Sequence, residues 1–77
     1  MPNWIQQEKQ LIKEFSFKNF VEAINFVNQV GVLAEKNNHH PDIFIYNYKN
    51  VRLSLRTHSE DKVTDKDYKL AEEIDKI

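Results

Sequence analysis

Three histidines are the residues of this 77-residue chain best suited to chemistry at neutral pH, and all of them fall within one stretch. His39 and His40 are adjacent and are followed at once by Pro41, and His58 comes later in the same stretch. Proline pushes the residue before it out of helical geometry, so we expect the pair where a helix gives way to a strand. Neutral imidazoles that titrate near pH 7 are the usual groups for moving protons. The stretch therefore indicates acid–base chemistry at a cleft.

A metal site is a second interpretation of these histidines. Adjacent residues of an extended segment point to opposite sides, so His39 and His40 rarely bind one metal together. The chain has no cysteine that would supply a thiolate ligand. We therefore expect no tightly bound metal and no cofactor. A third interpretation, that the histidines are ordinary surface residues, stays open on composition alone.

The spacing of these residues resembles the pattern of the pterin-4a-carbinolamine dehydratases, which are also known as dimerisation cofactors of a homeodomain transcription factor. That pattern is an acidic residue, His-His-Pro, an aromatic residue, a further histidine and, after a variable gap, an aspartate. Here it is matched by Glu35, His39-His40-Pro41, Tyr48, His58 and Asp67. The segment between Pro41 and His58 has the longer of the two lengths that the family allows. The resemblance extends over nearly the whole chain through Trp4, Glu14-Phe15-Ser16-Phe17 and Ala34-Glu35.

The resemblance implies a reaction and a set of site residues. The reaction is the dehydration of a 4a-hydroxytetrahydropterin to a quinonoid dihydropterin, in the recycling of a tetrahydropterin cofactor. The implied catalytic groups are His39, His40 and His58, and the expected substrate-binding residues are Glu35, Pro41, Tyr46, Tyr48, Thr57, Ser59 and Asp67. The two acids would orient imidazoles or hold pterin nitrogens, and the aromatics would stack on the ring. Two alternatives stay open: Asp67 as a helix-start acid, and the aromatics as a packed surface.

A non-catalytic binding module is the alternative function. The family's other known role is that of a dimerisation partner and transcriptional coactivator, which the resemblance also allows. The complete set of three histidines favours the enzyme, because a purely structural relative would not need them at these spacings. The sequence does not identify the natural pterin.

Composition bounds the partners and the location. A chain of 77 residues makes one domain, residues 1–77, and a core this small favours a homodimer or homotetramer. The net charge of −1, from 11 basic and 12 acidic side chains, argues against nucleic-acid binding through a basic face. No apolar run approaches the roughly 20 residues of a membrane span, and the first residues lack a signal-peptide pattern. We expect a cytoplasmic protein whose partner is a small pterin.

Helical periodicity is clearest over residues 16 to about 37. Ser16 is the expected N-cap, with Lys18-Asn19 just inside the helix as the alternative start. The stripe expected to be buried is Phe17, Phe20, Val21, Ile24, Val27, Leu33 and Ala34. Phe26 and Val30 widen this stripe, which indicates either a surface for another subunit or the edge of the core. Gly31 is expected to allow close approach of a neighbour, and Asn37 and Asn38 are suited to a left-handed helix end.

Two hairpins and a last helix complete the predicted fold. The first hairpin covers residues 4–15, with the start of an amphipathic helix as the alternative. The second joins strands at 42–48 and 51–57 through a three-residue loop, Tyr48-Lys49-Asn50, which places Asn47 opposite Val51; the alternative is a two-residue loop, which would place Tyr48 opposite Val51. The residues expected under the helices are Ile43, Ile45, Val51, Leu53 and Leu55, and those on the open face are Phe44, Tyr46, Tyr48, Arg52, Arg56 and His58. Thr64 and Asp67 predict a capping box that starts the last helix. The predicted fold is α+β: a two-layer β-β-α-β-β-α arrangement, with a four-stranded antiparallel sheet and both helices packed on one face.

Overall fold

A computed structural model describes residues 3–77 as four strands and two helices. In chain order these are β1 (Ile5–Gln7), β2 (Gln10–Ser16), α1 (Phe20–Asn37), β3 (Asp42–Tyr46), β4 (Asn50–Leu55) and α2 (Asp65–Ile74). All strand pairs are antiparallel and the sheet order is β1-β2-β4-β3, so β1 and β3 form its edges. The predicted α+β fold class and element order are confirmed. Within residues 3–77, neither helix is long and apolar enough to cross a membrane.

The core lies between the sheet and the helices and is centred on β4. Alternate residues of this strand, Val51, Leu53 and Leu55, are fully buried, while Arg52 between them is exposed on the other face. The core residues that the helices contribute are Ala23, Phe26 and Val30 of α1 and Leu70, Ala71 and Ile74 of α2. The strict alternation on β4 therefore divides a covered face of the sheet from an open one.

Helix α1 starts later and faces the sheet differently from the prediction. Asn19 is the N-cap, and its side chain accepts a hydrogen bond from the backbone N–H of Glu22 at 2.9 Å, whereas Ser16 still belongs to β2. The buried stripe is Ala23, Phe26, Val30 and Ala34, and the predicted core residues Phe20 and Val21 are exposed. Both stripes satisfy helical periodicity. The observed one contains two alanines, which allow the helix to lie close to the strands.

The single glycine does not serve a close contact. A Cβ atom added at Gly31 would meet nothing within 4 Å, so the prediction of close approach at this residue is wrong. The helix end is as predicted: Asn38 is left-handed at φ 49°, and its N–H donates to the carbonyls of Ala34 and Glu35. The following N–H, of His39, also bonds to Ala34 at 3.1 Å. This cap turns the chain sharply and fixes the backbone of His39 under the last turn of α1.

The hairpin between β3 and β4 differs from the prediction by two residues. Ile45 lies opposite Val51 and Tyr46 opposite Asn50, so the loop is Asn47-Tyr48-Lys49 and Asn47 is not a strand residue. Two successive left-handed residues, Asn47 at φ 48° and Tyr48 at φ 51°, form this turn, which has the predicted length of three residues but lies one residue earlier in the chain. A shift of two residues preserves the faces of a strand, so Ile45, Val51, Leu53 and Leu55 lie on the helix side as predicted. Ile43, which was also expected under the helices, is 37% exposed, and Tyr48 lies in the turn. Strands β3 and β4 are also shorter than predicted, ending at 46 and 55.

The first hairpin is confirmed and is tied to the other end of the chain. Its two-residue turn contains Glu8 in a left-handed conformation at φ 57°. Trp4 is buried before β1, and its indole N–H donates to both carboxylate oxygens of Asp75 at 3.0 Å. Lys13 forms an ion pair with the same carboxylate at 2.8 Å. We call this contact the Trp4–Asp75 clasp, because it joins the start of the sheet to the end of α2.

Candidate active site

The start of α2 is organised around one buried carboxylate. Thr64 is the N-cap, and Asp67, whose side chain is fully buried, completes the predicted capping box. Asp67 Oδ2 accepts hydrogen bonds from the backbone N–H of Thr64 at 2.9 Å and from the hydroxyl of Thr57 at 2.8 Å. The hydroxyls of Thr57 and Thr64 are 2.5 Å apart. One oxygen of Asp67 is therefore occupied by helix capping and by Thr57, which follows β4.

The other oxygen of the same carboxylate reaches a histidine. Asp67 Oδ1 lies 2.6 Å from Nε2 of His39, whose side chain is only 10% exposed. A carboxylate can only accept, so Nε2 carries the hydrogen and Nδ1 is left with its lone pair. The carboxylate also stabilises the imidazolium that forms when Nδ1 takes up a proton. This is the arrangement of an oriented general base.

His40 makes a second, exposed pair with a carboxylate. Its Nε2 lies 2.5 Å from Oε2 of Glu35, in the last turn of α1, and both side chains are mostly exposed. The adjacent histidines thus diverge, one towards α2 and one towards α1. His39 therefore contacts Asp67 and His40 contacts Glu35, and both imidazoles make the contact through Nε2.

The turn that follows Thr57 brings His58 to the same corner of the molecule. The backbone N–H of Thr57 bonds to the carbonyl of Lys62 at 3.0 Å, which closes a turn from which His58 and Ser59 extend into solvent. Consecutive Cα atoms are about 3.8 Å apart, so the backbone of His58 lies beside the threonine that contacts Asp67. Lys9 pairs with Asp61 of this turn at 2.8 Å, and this contact holds the pKa of Asp61 below its ordinary value.

Tyr46 and Tyr48 are not brought to the histidines within one chain. Pro41 immediately precedes β3 at the histidine end, and Tyr46 ends the strand, four residues beyond Asp42. At about 3.3 Å per residue, this separates Tyr46 from Asp42 by about 13 Å. Tyr48 is more than half exposed at the tip of the hairpin, beyond Tyr46.

The open face of the sheet carries a polar and aromatic network that sequence reasoning missed. Glu14 accepts a hydrogen bond from Arg52 Nε at 2.6 Å and another from the hydroxyl of Tyr46 at 2.8 Å. The hydrogen bond from Arg52, followed by that from Tyr46, lowers the pKa of Glu14. The same bond to Glu14 raises the pKa of Tyr46. The rings of Phe44 and Tyr46 stack with centroids 5.4 Å apart, and Arg52 lies over both. Glu14 lies opposite Arg52 because of the pairing register of β2 with β4, and predicting the network would have required that register.

Two grooves of the described chain do not coincide with the histidines. One, of about 380 Å³, lies between β2, α1 and α2, and another, of about 600 Å³, lies along the outer side of the two helices. No histidine lines either groove. Among residues 3–77, no group of three or more His, Cys, Asp or Glu side chains is arranged to hold a metal ion. The histidine corner combines two pairs of an imidazole and a carboxylate, His39 with Asp67 and His40 with Glu35.

Sequence comparison relates the whole chain to one family. The family model described as pterin 4 alpha carbinolamine dehydratase matches residues 1–77. A protein of Sulfolobus acidocaldarius is 46% identical over 74 residues, which are 96% of this chain and 80% of the relative. One of Prochlorococcus marinus is 46% identical over 76 residues, or 99% of this chain and 79% of the relative. Both relatives are named after pterin-4-alpha-carbinolamine dehydratase.

Solved structures agree with the sequence comparison. A Brucella melitensis protein described as a transcriptional coactivator/pterin dehydratase superposes with a TM-score of 0.89 at 36% identity, covering 96% of this chain and 80% of that one. A pterin dehydratase-like protein described as a RuBisCO assembly factor superposes with a TM-score of 0.79 at 22% identity, covering 95% and 86%. The second likeness is one of fold alone. On the family model and the identities together, the chain belongs to the pterin-4-alpha-carbinolamine dehydratase family.

Proposed function

We propose that this protein dehydrates a 4a-hydroxytetrahydropterin to a quinonoid dihydropterin and water. The observation that carries the proposal is the contact between His39 and the buried Asp67, which leaves His39 Nδ1 as a base. His40 with Glu35, and His58 on the neighbouring turn, supply further proton-transfer groups at the same corner. The names of the relatives support the same reaction class.

The reaction needs one base and one acid. His39 takes the proton from N5 of the pterin, and the electrons of that N–H bond form the N5=C4a double bond. The C4a–O bond breaks as His58 gives a proton to the departing hydroxyl, which leaves as water. One proton is taken up by His39 and one is given up by His58, so the number of protons on the enzyme is unchanged, and proton exchange with water returns each histidine to its starting state. Each positioned group contributes roughly 10²–10⁴ in rate.

His40 has a binding role in this proposal. Glu35 keeps the Nε2 side of its ring occupied, so Nδ1 of His40 is the atom that contacts the substrate. Ring edges of the pterin carry amino and amide groups, which an imidazole nitrogen recognises by hydrogen bonding. Loss of this contact weakens ground-state and transition-state binding alike and acts on KM.

Single histidine variants test the assignment. We expect His39→Ala and His58→Ala to lower kcat by about 10²-fold or more, about 2.7 kcal/mol, and His40→Ala to act mainly on KM. The substrate is a 4a-hydroxytetrahydropterin generated in the assay, and circular dichroism checks that each variant is folded. Wild-type turnover by folded His39→Ala and His58→Ala chains would remove the catalytic assignment.

The place of this reaction in metabolism follows from its chemistry. A 4a-hydroxytetrahydropterin is the product of a pterin-dependent hydroxylation, so the protein would act after such an enzyme and return its cofactor to the reducible form. Recycling for an aromatic amino acid hydroxylase in the cytoplasm is the setting that fits this role.

A protein-binding role is the second candidate, and the outer surface of α1 favours it. Val21 and Val32 on this helix are 65% and 69% exposed, which leaves apolar area available to a partner. The Brucella relative is described as a coactivator as well as a dehydratase. Turnover that is unaffected by Val21→Lys, together with loss of a bound protein, would separate this role from catalysis.

A further inference from the structure

Arg56, which directly follows strand β4, carries a guanidinium group that the rest of the chain hardly uses. Its Nε–H is buried and has no hydrogen-bond partner among residues 3–77. Its ion pair with Asp61 joins Nη1 to Oδ1 at 3.5 Å, which is longer than a good hydrogen bond. The chain's other arginine differs, because Arg52 Nε donates to Glu14 at 2.6 Å. Buried polar groups in proteins are usually hydrogen-bonded, so the unpartnered Nε–H of Arg56 points to an acceptor outside the chain.

Asp61 is held by another cation and does not neutralise Arg56. Lys9 lies 2.8 Å from Oδ2 of Asp61, and its hydrogen bond is the main cause that lowers the pKa of Asp61. Arg56 acts on the same carboxylate only through its charge. The three side chains together carry two positive charges and one negative charge, so a positive charge is left over. The side chain of Arg56 is 37% exposed, which leaves part of it accessible to an anion.

The alternation of side chains places Arg56 on the open face of the sheet, next to the candidate site. Buried and less buried residues alternate along β4 and on to Thr57, so Arg56 projects from the same face as Arg52. Thr57 donates to Asp67 at 2.8 Å, and His58 follows it in the chain. Arg56 therefore directly precedes two residues of the histidine corner.

The register of the second hairpin brings the adjacent histidines to the same residue. Asp42 of β3 lies opposite Ser54 of β4. Extended by two residues, this register places position 40 across from position 56. Neighbouring strands are about 4.8 Å apart, so the backbone of Arg56 has His40 beside it and His58 two residues further on. A substrate held by the histidines is thus within reach of the long side chain of Arg56.

The geometry points to a residue that selects the substrate: we propose that Arg56 binds an anionic group, a carboxylate or a phosphate, on the pterin side chain at C6. Pterins share the reacting ring and differ in this side chain, which is neutral in some and anionic in others. A guanidinium matches two oxygens of a carboxylate or phosphate with two parallel N–H···O bonds. The inference rests on the dehydratase function proposed above and names the class of its substrate.

Arg56 gives up less than its neighbouring cations when it binds a ligand. Contact with an anion breaks no hydrogen bond of its Nε–H and replaces only the 3.5 Å contact with Asp61. Arg52 would lose its 2.6 Å bond to Glu14, and Lys9 would lose its 2.8 Å contact with Asp61. The exposed part of the guanidinium meets the anion first, and rotation of the side chain then brings Nε–H to it.

Three 4a-hydroxytetrahydropterins that differ only at C6 test the preference. One carries a hydroxymethyl group, the second its phosphate ester, and the third a carboxymethyl group. We expect the wild-type kcat/KM to be about 10- to 100-fold higher for the anionic substrates, with the difference in KM. A preference for both anions indicates recognition of charge, and a preference for one identifies the group that is bound.

Arginine variants assign this preference to a residue. Arg56→Gln should lower kcat/KM for both anionic substrates to the value for the hydroxymethyl substrate, and Arg56→Lys should retain part of the preference. Arg52→Gln, on the same face of β4, is the matched control and should retain all of it. Equal kcat/KM of the wild-type chain for all three substrates, or a preference that persists in folded Arg56→Gln, would overturn the inference.

Substitutions around Asp61 test the charge balance in both directions. Asp61→Asn removes the anion that competes for Arg56 and should raise the preference, and asparagine also suits the left-handed φ 53° of this position. Lys9→Gln releases Asp61 to pair with Arg56 and should lower the preference. Glu60→Gln, an exposed neighbour with the same change of charge as Asp61→Asn, is the control and should act less. Equal effects of Asp61→Asn and Glu60→Gln would mean that net charge, and not contact with Arg56, sets the preference.

A binding measurement that needs no turnover separates this inference from the proposed function. The chain contains two arginines, so two Nε–H signals are expected by NMR, and Arg56→Lys identifies that of Arg56. Pterin-6-carboxylate, which cannot be dehydrated, should shift the Arg56 signal and leave that of Arg52 in place, and 6-methylpterin should have a much smaller effect. Binding that depends on Arg56, without turnover of any substrate, would remove the dehydratase function and keep the anion site. Turnover without a response of Arg56 to the carboxylate would keep the function and overturn the anion site.

Discussion

Replacing Asp67 with asparagine should expose the link between helix capping and catalysis. The backbone N–H of Thr64 can only donate, so the atom it contacts, now Oδ2, must remain an oxygen in the variant. The new amide nitrogen is then forced into the position of Oδ1, facing His39 Nε2. Because an amide N–H₂ is a donor, Nε2 must become the acceptor and the ring proton must move to Nδ1. The base is thereby removed with hardly any change in shape.

The expected magnitudes separate stability from activity. The asparagine side chain keeps its capping bond, so we expect Asp67→Asn to lower the free energy of unfolding by only about 1–2 kcal/mol. Asp67→Ala loses all three bonds and leaves the N–H groups of Thr64 and His39 without their acceptor, which should cost about 3–5 kcal/mol. A 77-residue domain has about 4–12 kcal/mol in total, so the alanine variant should be close to unfolding. Turnover by the asparagine variant should fall by about 10²-fold or more.

Three measurements test this reasoning. Urea unfolding followed by circular dichroism gives the free energies, the dehydration assay gives kcat, and nitrogen chemical shifts of His39 give its tautomer. Asp65→Asn, in the same first turn but exposed, is the matched control and should change stability by no more than about 0.5 kcal/mol. A folded Asp67→Asn chain with wild-type kcat and an unchanged tautomer would refute the proposed role of the pair.

Three other predictions concern the scaffold. Leu53→Ala, at a fully buried position of the central strand, should lower the free energy of unfolding in urea by about 2–5 kcal/mol, whereas exposed Val32→Ala should change it little. Asn38→Gly should be nearly neutral in the same experiment, while Asn38→Val should cost about 1–2 kcal/mol, because only the former tolerates φ 49°. Arg52→Gln should raise the pKa of Glu14 measured by NMR. Because the folded pKa of Glu14 lies below its ordinary 4.5, the stabilisation from Arg52 should be present above that pH and should disappear as pH falls through the folded value.

The parts of the fold that local chemistry dictates could be predicted from the sequence. Alternation on β4, the capping box at Thr64 and the left-handed end at Asn38 each depend on residues close together in the chain. The orientation of α1 could not be predicted in this way, because two overlapping stripes satisfy the same periodicity. Packing against β4 selected the stripe with the alanines, and Phe20 was left outside the core.

The candidate site could likewise be predicted from the sequence only in part. Histidine spacing identified the residues, and their divergence followed from the extended backbone before Pro41. That Asp67 would cap α2 with one oxygen and contact His39 with the other depends on a tertiary contact between residues 28 positions apart. The hairpin register was missed because the turn contains no glycine and is flanked by two asparagines, Asn47 and Asn50, each of which suits a left-handed conformation.

The Trp4–Asp75 clasp makes tryptophan fluorescence a probe of folding. Trp4 is the only tryptophan of the chain, and its indole N–H binds a carboxylate 71 residues away. Contacts between such distant residues close the largest loop, so they tend to form after local hairpins and helices. Tryptophan emission should therefore follow the docking of the C-terminal helix, whereas far-ultraviolet circular dichroism follows the secondary structure. If stopped-flow traces from the two signals differ in rate, the chain ends are joined last; identical rates would mean that the ends are joined in the same cooperative step as the rest of the fold.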